Sequence, residues 1–335
     1  MNIGTRIKDL FIGMWEDTRA VSPIVATLVL VVVAITGAAA VGTIMGTFSS
    51  DVSKESNTGE LASASSTEIL IAGSTTVQPV SELIAEAYMA EHQGTKVTVQ
   101  GGGSGAGISS AGMDIVDIGA ASRDPKDGEL EKYPNLNVVK IGGSAVVVIV
   151  HDDGSGSVIT NATKAEINEA YVNGTFSGNL SGSIDKVFKR AEESGTQDTF
   201  CGWIGNDADE FDDNVVGKTG NAGVLAAVKD TSKSIGFVDF GFADGVSEVK
   251  MLDLYDDKQY FTTKSNIKAQ LKDTTLTDLS NDKYPGGKHG LTRPLNYITN
   301  GDPASIEQGF IDFARSPGSQ TYFEECGYFA ITEFA

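Results

Sequence analysis

An uncharged segment near the amino terminus divides this chain. From Ala20 to Phe48 it runs for 29 residues without an Asp, Glu, Lys or Arg. About 20 apolar residues are enough for a helix to cross the hydrocarbon core of a bilayer, so the sequence predicts one N-terminal transmembrane helix over residues 20–48. The segment is too long for an ordinary secretory signal and lacks a good A-x-A cleavage site before a mature start.

The charges that flank this segment predict its orientation. The basic residues Arg6, Lys8 and Arg19 precede it, and acidic residues follow it. Because basic flanks stay in the cytoplasm, residues 1–19 are expected to be cytoplasmic and the globular part to lie on the extracellular face of the cell membrane. Acidic residues among the first 19 weaken this asymmetry, namely Asp9, Glu16 and Asp17.

A tether and an α/β body are predicted after the membrane segment. Residues 49–67 are rich in Ser, Thr and acidic residues, a composition typical of a flexible linker. From Glu68 onward, apolar runs such as EILIAG alternate with helical patterns. This alternation predicts mostly parallel sheets flanked by helices, in which ligands bind at the carboxyl ends of the strands.

Three stretches allow sharper local predictions. NVVKI and SAVVVIVH are predicted to be two buried strands, and DPASIEQGFIDFARS is predicted to be a helix with Asp302 as its N-cap and Pro303 in its first turn. A further helix begins near Pro79. Its buried face is predicted from residues spaced three and four apart, which are Val80, Leu83, Ile84, Ala87 and Tyr88.

The charge balance excludes one class of partner. The chain has 25 Lys and Arg against 45 Asp and Glu, a formal net charge of −20. Such a surface repels nucleic acid, so no nucleic-acid partner is expected. Any anion site must therefore be local and built from hydrogen bonds.

Three loops carry hydroxyl groups and glycines where a strand ends and a helix begins. AGSTTVQP contains Ser74, Thr75 and Thr76, QGGGSGAGIS contains Ser104, and the third loop contains Ser194, Gly195 and Thr196. A helix start offers N–H and O–H donors at the positive end of the helix dipole, which suits a tetrahedral anion. Taken singly, each loop also fits an ordinary N-cap or turn, so the prediction depends on their joint occurrence.

Two arginines accompany these loops. Arg190 stands four residues ahead of the Ser-Gly-Thr turn and could supply a bidentate, permanently charged fork. In DIGAASRDP, Ser122 and Arg123 end a strand and could face the same cleft. Arg123 could equally pair with Asp124 or remain a solvated loop charge.

The order of these motifs points to a family. GSTTVQPV, GGGSGAGI, DIGAASR, R-x-x-x-SGT, IGFVDF and RPLNYITNG follow one another over roughly residues 68–300. Together they resemble the substrate-binding proteins of phosphate ABC importers, which have the two-lobed type II periplasmic-binding-protein fold. The resemblance implies a first lobe of residues 68–147 and 293–335, a second lobe of residues 148–292, and a ligand cleft between them.

The resemblance also implies a ligand, partners and contact residues. Inorganic phosphate would be bound without its water shell and passed to ABC permease subunits, with no cofactor, metal or catalytic residue. The phosphate contacts carried over by motif are Ser74, Thr75, Thr76, Ser104, Gly105, Ser122, Arg123, Arg190, Ser194, Gly195 and Thr196.

One departure from the family leaves the choice of anion open. Some members place an aspartate directly after the serine of the fourth motif, where it accepts a hydrogen bond from protonated phosphate. Here that position is Arg123, and Asp124 lies one residue further along. Sulfate, molybdate or tungstate therefore remain alternatives to phosphate, because discrimination depends on an unpaired polar group that penalises the wrong ligand.

The N-terminal segment has a resemblance of its own. TRAVSPIVATLVLVVVAITGAAAVG resembles the class III, pilin-like signal of archaeal surface proteins, which is cut just before the hydrophobic segment. A plain signal-anchor helix is the alternative. A further alternative for the whole chain is a surface filament subunit with an anion-binding head.

Enzymatic, metal and nucleotide sites are disfavoured by the motifs. Ser104 lies in G-G-S-G-A, which misses the G-x-S-x-G nucleophile pattern at its last position. The acidic cluster DADEFDDN at residues 207–214 lacks the glycine and terminal glutamate of a calcium loop. No lysine follows GGGSGAG, so it is not a phosphate-binding P-loop. We therefore expect a binding protein and not an enzyme.

Covalent modification is left open by the sequence. Cys201 and Cys326 are the two cysteines, and they could form one disulfide or stay as two thiols. Asn161, Asn173 and Asn179 each begin an N-x-S/T glycosylation sequon.

Overall fold

The structure is a computed structural model that describes residues 67–206, 210–272, 283–286 and 289–334. The predicted cytoplasmic segment 1–19, the membrane segment 20–48 and all of the tether except Thr67 lie outside these residues. Within the described ranges, none of the helices combines the length and hydropathy needed to cross a membrane.

Strands and helices alternate along most of the described chain. The helices are α1 (Gln78–Glu91), α2 (Ser104–Gly112), α3 (Asp127–Lys132), α4 (Lys164–Val172), α5 (Gly195–Ile204), α6 (Gly220–Asp230), α7 (Phe240–Ala243), α8 (Lys264–Lys272), α9 (Ser305–Ala314) and α10 (Gln320–Glu325), with 3₁₀ turns at Gly178–Leu180, Pro317–Ser319 and Ile331–Glu333. The strands are β1 (Thr67–Gly73), β2 (Thr95–Gly101), β3 (Ile118–Ala121), β4 (Leu136–His151), β5 (Asn161–Thr163), β6 (Lys186–Arg190), β7 (Val215–Lys218), β8 (Ser234–Asp239), β9 (Val249–Met251), β10 (Asp253–Tyr255), β11 (Gln259–Tyr260), β12 (Thr292–Asn300) and β13 (Phe329–Ala330).

The main strands pair in the order β2-β1-β3-β12-β4-β8-β6-β7. The outer trios, β2-β1-β3 and β8-β6-β7, are parallel, whereas β12 and β4 join their neighbours antiparallel. The sheets are therefore mixed, with their parallel strands on both outer sides. A small separate sheet has the order β11-β10-β5.

Strand β4 is common to both halves of this arrangement. Its residues 136–145 pair with β12, and its residues 146–150 pair with β8. The change of partner thus falls close to residue 147, where the sequence predicts the first lobe to end. The prediction of two separate strands here is wrong, because the glycine pair between them does not interrupt β4. A side chain at Gly142 would meet the Phe323 ring at 2.6 Å, and one at Gly143 would meet Leu271 at 2.8 Å, so these glycines serve close packing.

Two hydrophobic cores support the two lobes. Lobe 1 is built on β1, β2, β3 and β12, and its core includes Ile71, Ile84 and Tyr297. Lobe 2 is built on β6, β7 and β8, and its core includes Phe200 and Phe237, whose rings stack with centroids 4.0 Å apart. The two-lobed α/β periplasmic-binding fold expected from the motifs is present in the described residues.

Helix α1 shows why a spacing pattern only partly predicts a buried face. Val80, Ile84 and Tyr88 are buried as predicted, but Leu83 and Ala87 are half-buried. Ser81 is buried instead, because its hydroxyl shares a 2.8 Å hydrogen bond with the Tyr297 hydroxyl of β12. A polar residue can thus lie on the buried face of a helix when the core provides a hydrogen-bond partner for it.

The predicted start of helix α9 is wrong by two residues. The helix begins at Ser305 with Ala304 as its N-cap, and not at Pro303 with Asp302. The carboxylate of Glu307 accepts the Ala304 N–H at 2.7 Å, so it caps the helix in place of the predicted aspartate.

The disulfide alternative is not realised in the structure, which contains no bond between the two cysteines. Cys201 packs in the core of lobe 2, while Cys326 packs against the core of lobe 1, so separate cores hold the two sulfurs. Burial raises the pKa of Cys326 to about 12.

The sequons lie in lobe 2. Asn173 and Asn179 are exposed, and Asn161 is half-buried and accepts a 2.7 Å hydrogen bond from the Asn179 amide. Their glycosylation stays a prediction.

Candidate functional site

Hydroxyl groups from three strand ends of lobe 1 meet at one point. Ser74 Oγ donates to Ser122 Oγ at 3.0 Å, and the hydroxyls of Ser104 and Ser122 lie 3.2 Å apart. Gly73 makes this meeting possible, since a β-carbon there would lie 2.1 Å from the Ala120 carbonyl oxygen of β3. All three serines are buried, with Ser122 only 1% exposed.

The amino terminus of α5 brings lobe 2 to the same point. Ser194 is the N-cap, and its hydroxyl accepts the Gln197 N–H at 3.1 Å. The Gly195 N–H donates across the cleft to Ser104 Oγ at 3.2 Å. The start of α5, which is the positive end of its helix dipole, thus lies against the serine cluster.

Arg190 reaches both lobes from the end of β6. Its Nη1 donates to Thr196 Oγ1 at 3.2 Å, and its Nη2 donates to Thr75 Oγ1 at 2.8 Å. Glu192 holds the other side of the guanidinium by accepting from Nε and Nη2. Burial lowers the pKa of Arg190, and the neighbouring charge of Arg293 lowers it further.

Threonines complete the contact between the lobes. Thr76 Oγ1 of lobe 1 and Thr196 Oγ1 of lobe 2 lie 3.2 Å apart. Asn221, the second residue of α6, donates from its amide to Thr76 Oγ1 at 2.8 Å. Each of the three predicted loops therefore contributes to a single buried cluster.

Gly105 lies in the first turn of α2 beside this cluster. A β-carbon on Gly105 would lie 2.8 Å from a carboxylate oxygen of Glu193 and 3.8 Å from Arg123 Nη2. The Glu193 side chain of lobe 2 therefore approaches this backbone closely, and a backbone contact of Gly105 with the anion stays a prediction.

Arg123 is engaged mainly by carboxylates. It pairs with Glu129 at 2.7 Å and with Asp198 of α5 at 2.6 Å, and its Nη1 also donates to the Asp124 carbonyl at 3.0 Å. Although burial lowers the pKa of Arg123, the two carboxylates outweigh burial and raise it above its ordinary value. A direct contact between Arg123 and phosphate stays a prediction.

Asp124, the alternative acceptor suggested by the sequence, is itself hydrogen-bonded. Its Oδ1 accepts the amide of Asn296, a buried residue of β12, at 3.0 Å. The family's acceptor position is therefore occupied by an arginine, and the nearest aspartate along the chain already has a donor.

Two charged residues of the cluster were missed from the sequence. Arg293 at the start of β12 lies 2.6 Å from Asp239 at the end of β8, and both side chains are almost completely buried. Arg293 Nη1 also donates to Ser122 Oγ at 3.0 Å. Both residues belong to motifs that carry the family resemblance. The available signal was that each residue is the one charged residue of its strand.

The contacts of Ser104 and the arrangement of possible metal ligands bear on catalytic and metal sites. The partners of Ser104 Oγ are Ser122 and the Gly195 N–H, which are not those of an activated nucleophile. No cluster of His, Cys, Asp or Glu suitable for a metal ion occurs in the part of the chain that the structure describes. Residues 207–209 of the acidic cluster lie outside it.

Comparisons with known proteins agree with this architecture. The phosphate-binding protein PstS of Borreliella burgdorferi is 25% identical over 286 residues, covering 78% of this chain and 90% of that protein. The PstS of Bacillus subtilis is 24% identical over 292 residues, covering 84% and 87%. The solved structure of a phosphate ABC transporter substrate-binding protein with bound phosphate, from Clostridium perfringens, is 24% identical with a TM-score of 0.66, covering 79% of this chain and 99% of that one.

A family model extends over most of the sequence. The model of the PBP superfamily domain matches residues 39–317. This range includes most of both hydrophobic cores and all the loops of the hydroxyl cluster. Since the match spans far more than half of the 335 residues, the chain belongs to the PBP superfamily.

Proposed function

We propose that this protein binds inorganic phosphate outside the cell membrane and delivers it to an ABC import permease. The observation that carries the proposal is the convergence of four separate segments, from both lobes, on one buried cluster of hydroxyls around Arg190. The names of the curated relatives, phosphate-binding protein PstS, support phosphate as the ligand.

The chemistry of the cluster suits a dehydrated tetrahedral anion. Ser and Thr hydroxyls, the Gly195 N–H and the Arg190 guanidinium provide donors from several directions. Hydrogen bonds to a charged group contribute about 1.5–3 kcal/mol each once the exchange with water is included, so several of them together favour the binding of a dehydrated anion. The site needs no excess positive charge, which explains how a chain with a net charge of −20 could capture an anion.

We propose that the ligand-contacting residues are those identified from the motifs. Four side chains would donate hydrogen bonds to the phosphate from the side on which the guanidinium lies, namely Arg190, Thr75, Thr76 and Thr196. The remaining contacts would come from Ser74, Ser104, Gly105, Ser122, Ser194 and Gly195, with Arg123 at the rim.

Capture would involve closure of the two lobes. Arg190 donates across the cleft to Thr75, and Gly195 donates across it to Ser104. Lobes that move apart must break these contacts. A bound anion that accepts from both sides would favour the closed form, which is the form a permease can recognise.

We further propose that residues 20–48 anchor the receptor on the outer face of an archaeal-type cell. The uncharged 29-residue run and its basic amino-terminal flank support this placement. The pilin-like resemblance supports processing near Arg19. Recovery of the chain from sheared surface filaments, instead of from membranes, would contradict the anchor.

Calorimetric titration of the full-length chain tests the ligand. Phosphate is expected to give measurable binding, and titrations with sulfate, molybdate and arsenate establish which oxyanion the cleft prefers. Arg190→Ala should weaken phosphate binding at least tenfold, because about 1.5–3 kcal/mol of charge-assisted bonding is lost. Arg315→Ala is the matched control, since Arg315 is exposed at the end of α9. Phosphate heats indistinguishable from buffer would refute the function, and tighter sulfate or molybdate binding would assign the cleft to another oxyanion.

A further inference from the structure

Arg293 spans the cleft at the hydroxyl cluster. It lies where the chain returns to lobe 1, and its side chain is 2% exposed. Its Nη1 donates to Ser122 Oγ, and its Nη2 donates to Thr76 Oγ1 and Thr196 Oγ1, each at 3.0 Å. These hydroxyls come from both lobes, and each belongs to the proposed phosphate site.

Two guanidinium groups therefore share one oxygen atom. Thr196 Oγ1 accepts from Arg190 Nη1 at 3.2 Å and from Arg293 Nη2 at 3.0 Å. Each guanidinium has its own carboxylate, Glu192 for Arg190 and Asp239 for Arg293, which offsets the repulsion between the two like charges. An anion with two negative charges, bound beside Thr196, would be attracted by both arginines at once.

Asp239 fixes the orientation of Arg293. Its Oδ2 accepts from Arg293 Nη2 at 2.6 Å, and its Oδ1 accepts from the Ser144 hydroxyl at 2.6 Å and from the Gly241 N–H at 3.2 Å. Both carboxylate oxygens thus already accept hydrogen bonds. Asp239 can therefore hold the guanidinium but is poorly placed to accept a further hydrogen bond from a protonated ligand. Glu192 does the same for Arg190.

One donor of Arg293 is still available. Its Nε is buried and finds no hydrogen-bond acceptor among the described residues. Buried donors without a partner are rare in folded proteins and call for an explanation. Because Nη1 and Nη2 of the same guanidinium contact three hydroxyls of the proposed site, an anion bound there is a candidate partner for this donor.

We propose that Arg293, positioned by Asp239, is a second anion-contacting arginine and makes the site prefer a doubly charged oxyanion. The inference rests on the proposed function and adds to its specificity. The carboxylates that pair with the two arginines, Glu192 and Asp239, are each committed to a guanidinium. Neither is a free acceptor for a ligand proton, so in this proposal the charge of the anion sets its affinity.

Titration calorimetry of full-length variants with inorganic phosphate tests this inference. Arg293→Gln should weaken binding at least tenfold, and Arg293→Lys should recover part of the loss because it keeps the charge. Binding should be measured at about pH 5.5 and about pH 8, on either side of the second ionisation of phosphate. The wild type and the control Arg315→Gln should prefer the higher pH, and Arg293→Gln should lose most of this preference.

A second pair of variants separates positioning from folding. Asp239→Asn should also weaken binding, and the double variant Arg293→Gln/Asp239→Asn should bind no worse than Arg293→Gln alone, since the two residues act as one unit. The double variant removes both buried charges, so it supplies the comparison if Arg293→Gln alone unfolds. Circular dichroism monitors folding in each case.

The outcomes distinguish this inference from the proposed function. A wild-type chain that fails to bind phosphate contradicts the function. A wild-type chain that binds, together with an Arg293→Gln variant of equal affinity, contradicts only the role of Arg293. An Arg293→Gln variant that binds phosphate more weakly but keeps the full pH preference would show that the Arg293–Asp239 ion pair has only a structural role. This result would also overturn the inference.

Discussion

Gly195 is the position at which one added methyl group should block the cleft without harming the fold. A β-carbon there would lie 2.6 Å from Ser122 Oγ, 2.7 Å from Ser104 Oγ and 3.0 Å from the Ser122 carbonyl oxygen. Favourable non-bonded contacts lie at about 3.5–4.0 Å, so the two lobes must separate to accommodate it. Overpacking of this kind costs about 1–3 kcal/mol, which corresponds to an affinity for phosphate lowered about 5- to 150-fold.

A matched control lies on the same helix. At Gly202 the nearest atom to an added β-carbon is His289 Nδ1 at 3.8 Å, so the methyl group fits. Gly202→Ala should leave phosphate affinity unchanged and stabilise α5 by up to about 1 kcal/mol. Both variants would be titrated with phosphate as full-length chains, and their melting temperatures compared. Wild-type affinity in Gly195→Ala would refute the assignment of this helix start to the site.

Three further substitutions test other parts of the structure. Glu129→Gln should lower the free energy of unfolding by about 1 kcal/mol or less at neutral pH. Although burial raises the pKa of Glu129, Arg123 and a backbone hydrogen bond outweigh burial and lower the folded-state pKa. The contribution is therefore present above the unfolded pKa of about 4.3 and should be lost from denaturation curves as the pH falls through the lower folded-state pKa. Asp198→Asn removes the ion pair between Asp198 of lobe 2 and Arg123 of lobe 1, and should raise the Kd for phosphate several-fold. A Kd equal to that of the wild type at low salt would show that this ion pair does not contribute to closure of the lobes. Tyr297→Phe leaves the buried Ser81 hydroxyl without its partner, and should cost about 1–3 kcal/mol of stability with phosphate affinity unchanged, whereas an unchanged melting temperature would show that this hydrogen bond contributes nothing.

The hydroxyl loops could be predicted because their signals are local. Ser74, Ser104 and Ser194 each stand between a strand and a helix within a few residues, so a short stretch of sequence contains both the donor and the element that aims it. Their convergence followed from the general rule that loops at the carboxyl ends of parallel strands share one edge of a sheet. The structure brings them together in one buried cluster.

The Arg293–Asp239 pair could not be predicted in this way. The two residues are 54 positions apart in sequence, and the hydroxyl partners of Arg293 are 97 to 217 positions away. No spacing rule links residues so distant. The glycines of β4 led to the wrong prediction of two strands for a related reason. The side chains that pack against them, Phe323 and Leu271, lie more than 100 residues further along the chain.

The shared strand β4 has a mechanical consequence for a two-lobed receptor. Because one extended backbone belongs to both sheets, rotation of one lobe against the other must twist that backbone near Ala145 and Val146. The return path by way of Leu291, whose carbonyl accepts the Val146 N–H at 2.8 Å, runs alongside and adds stiffness. A hinge formed by a continuous β-strand, unlike a flexible linker, would allow the lobes to open over a narrow range of angles about one defined axis.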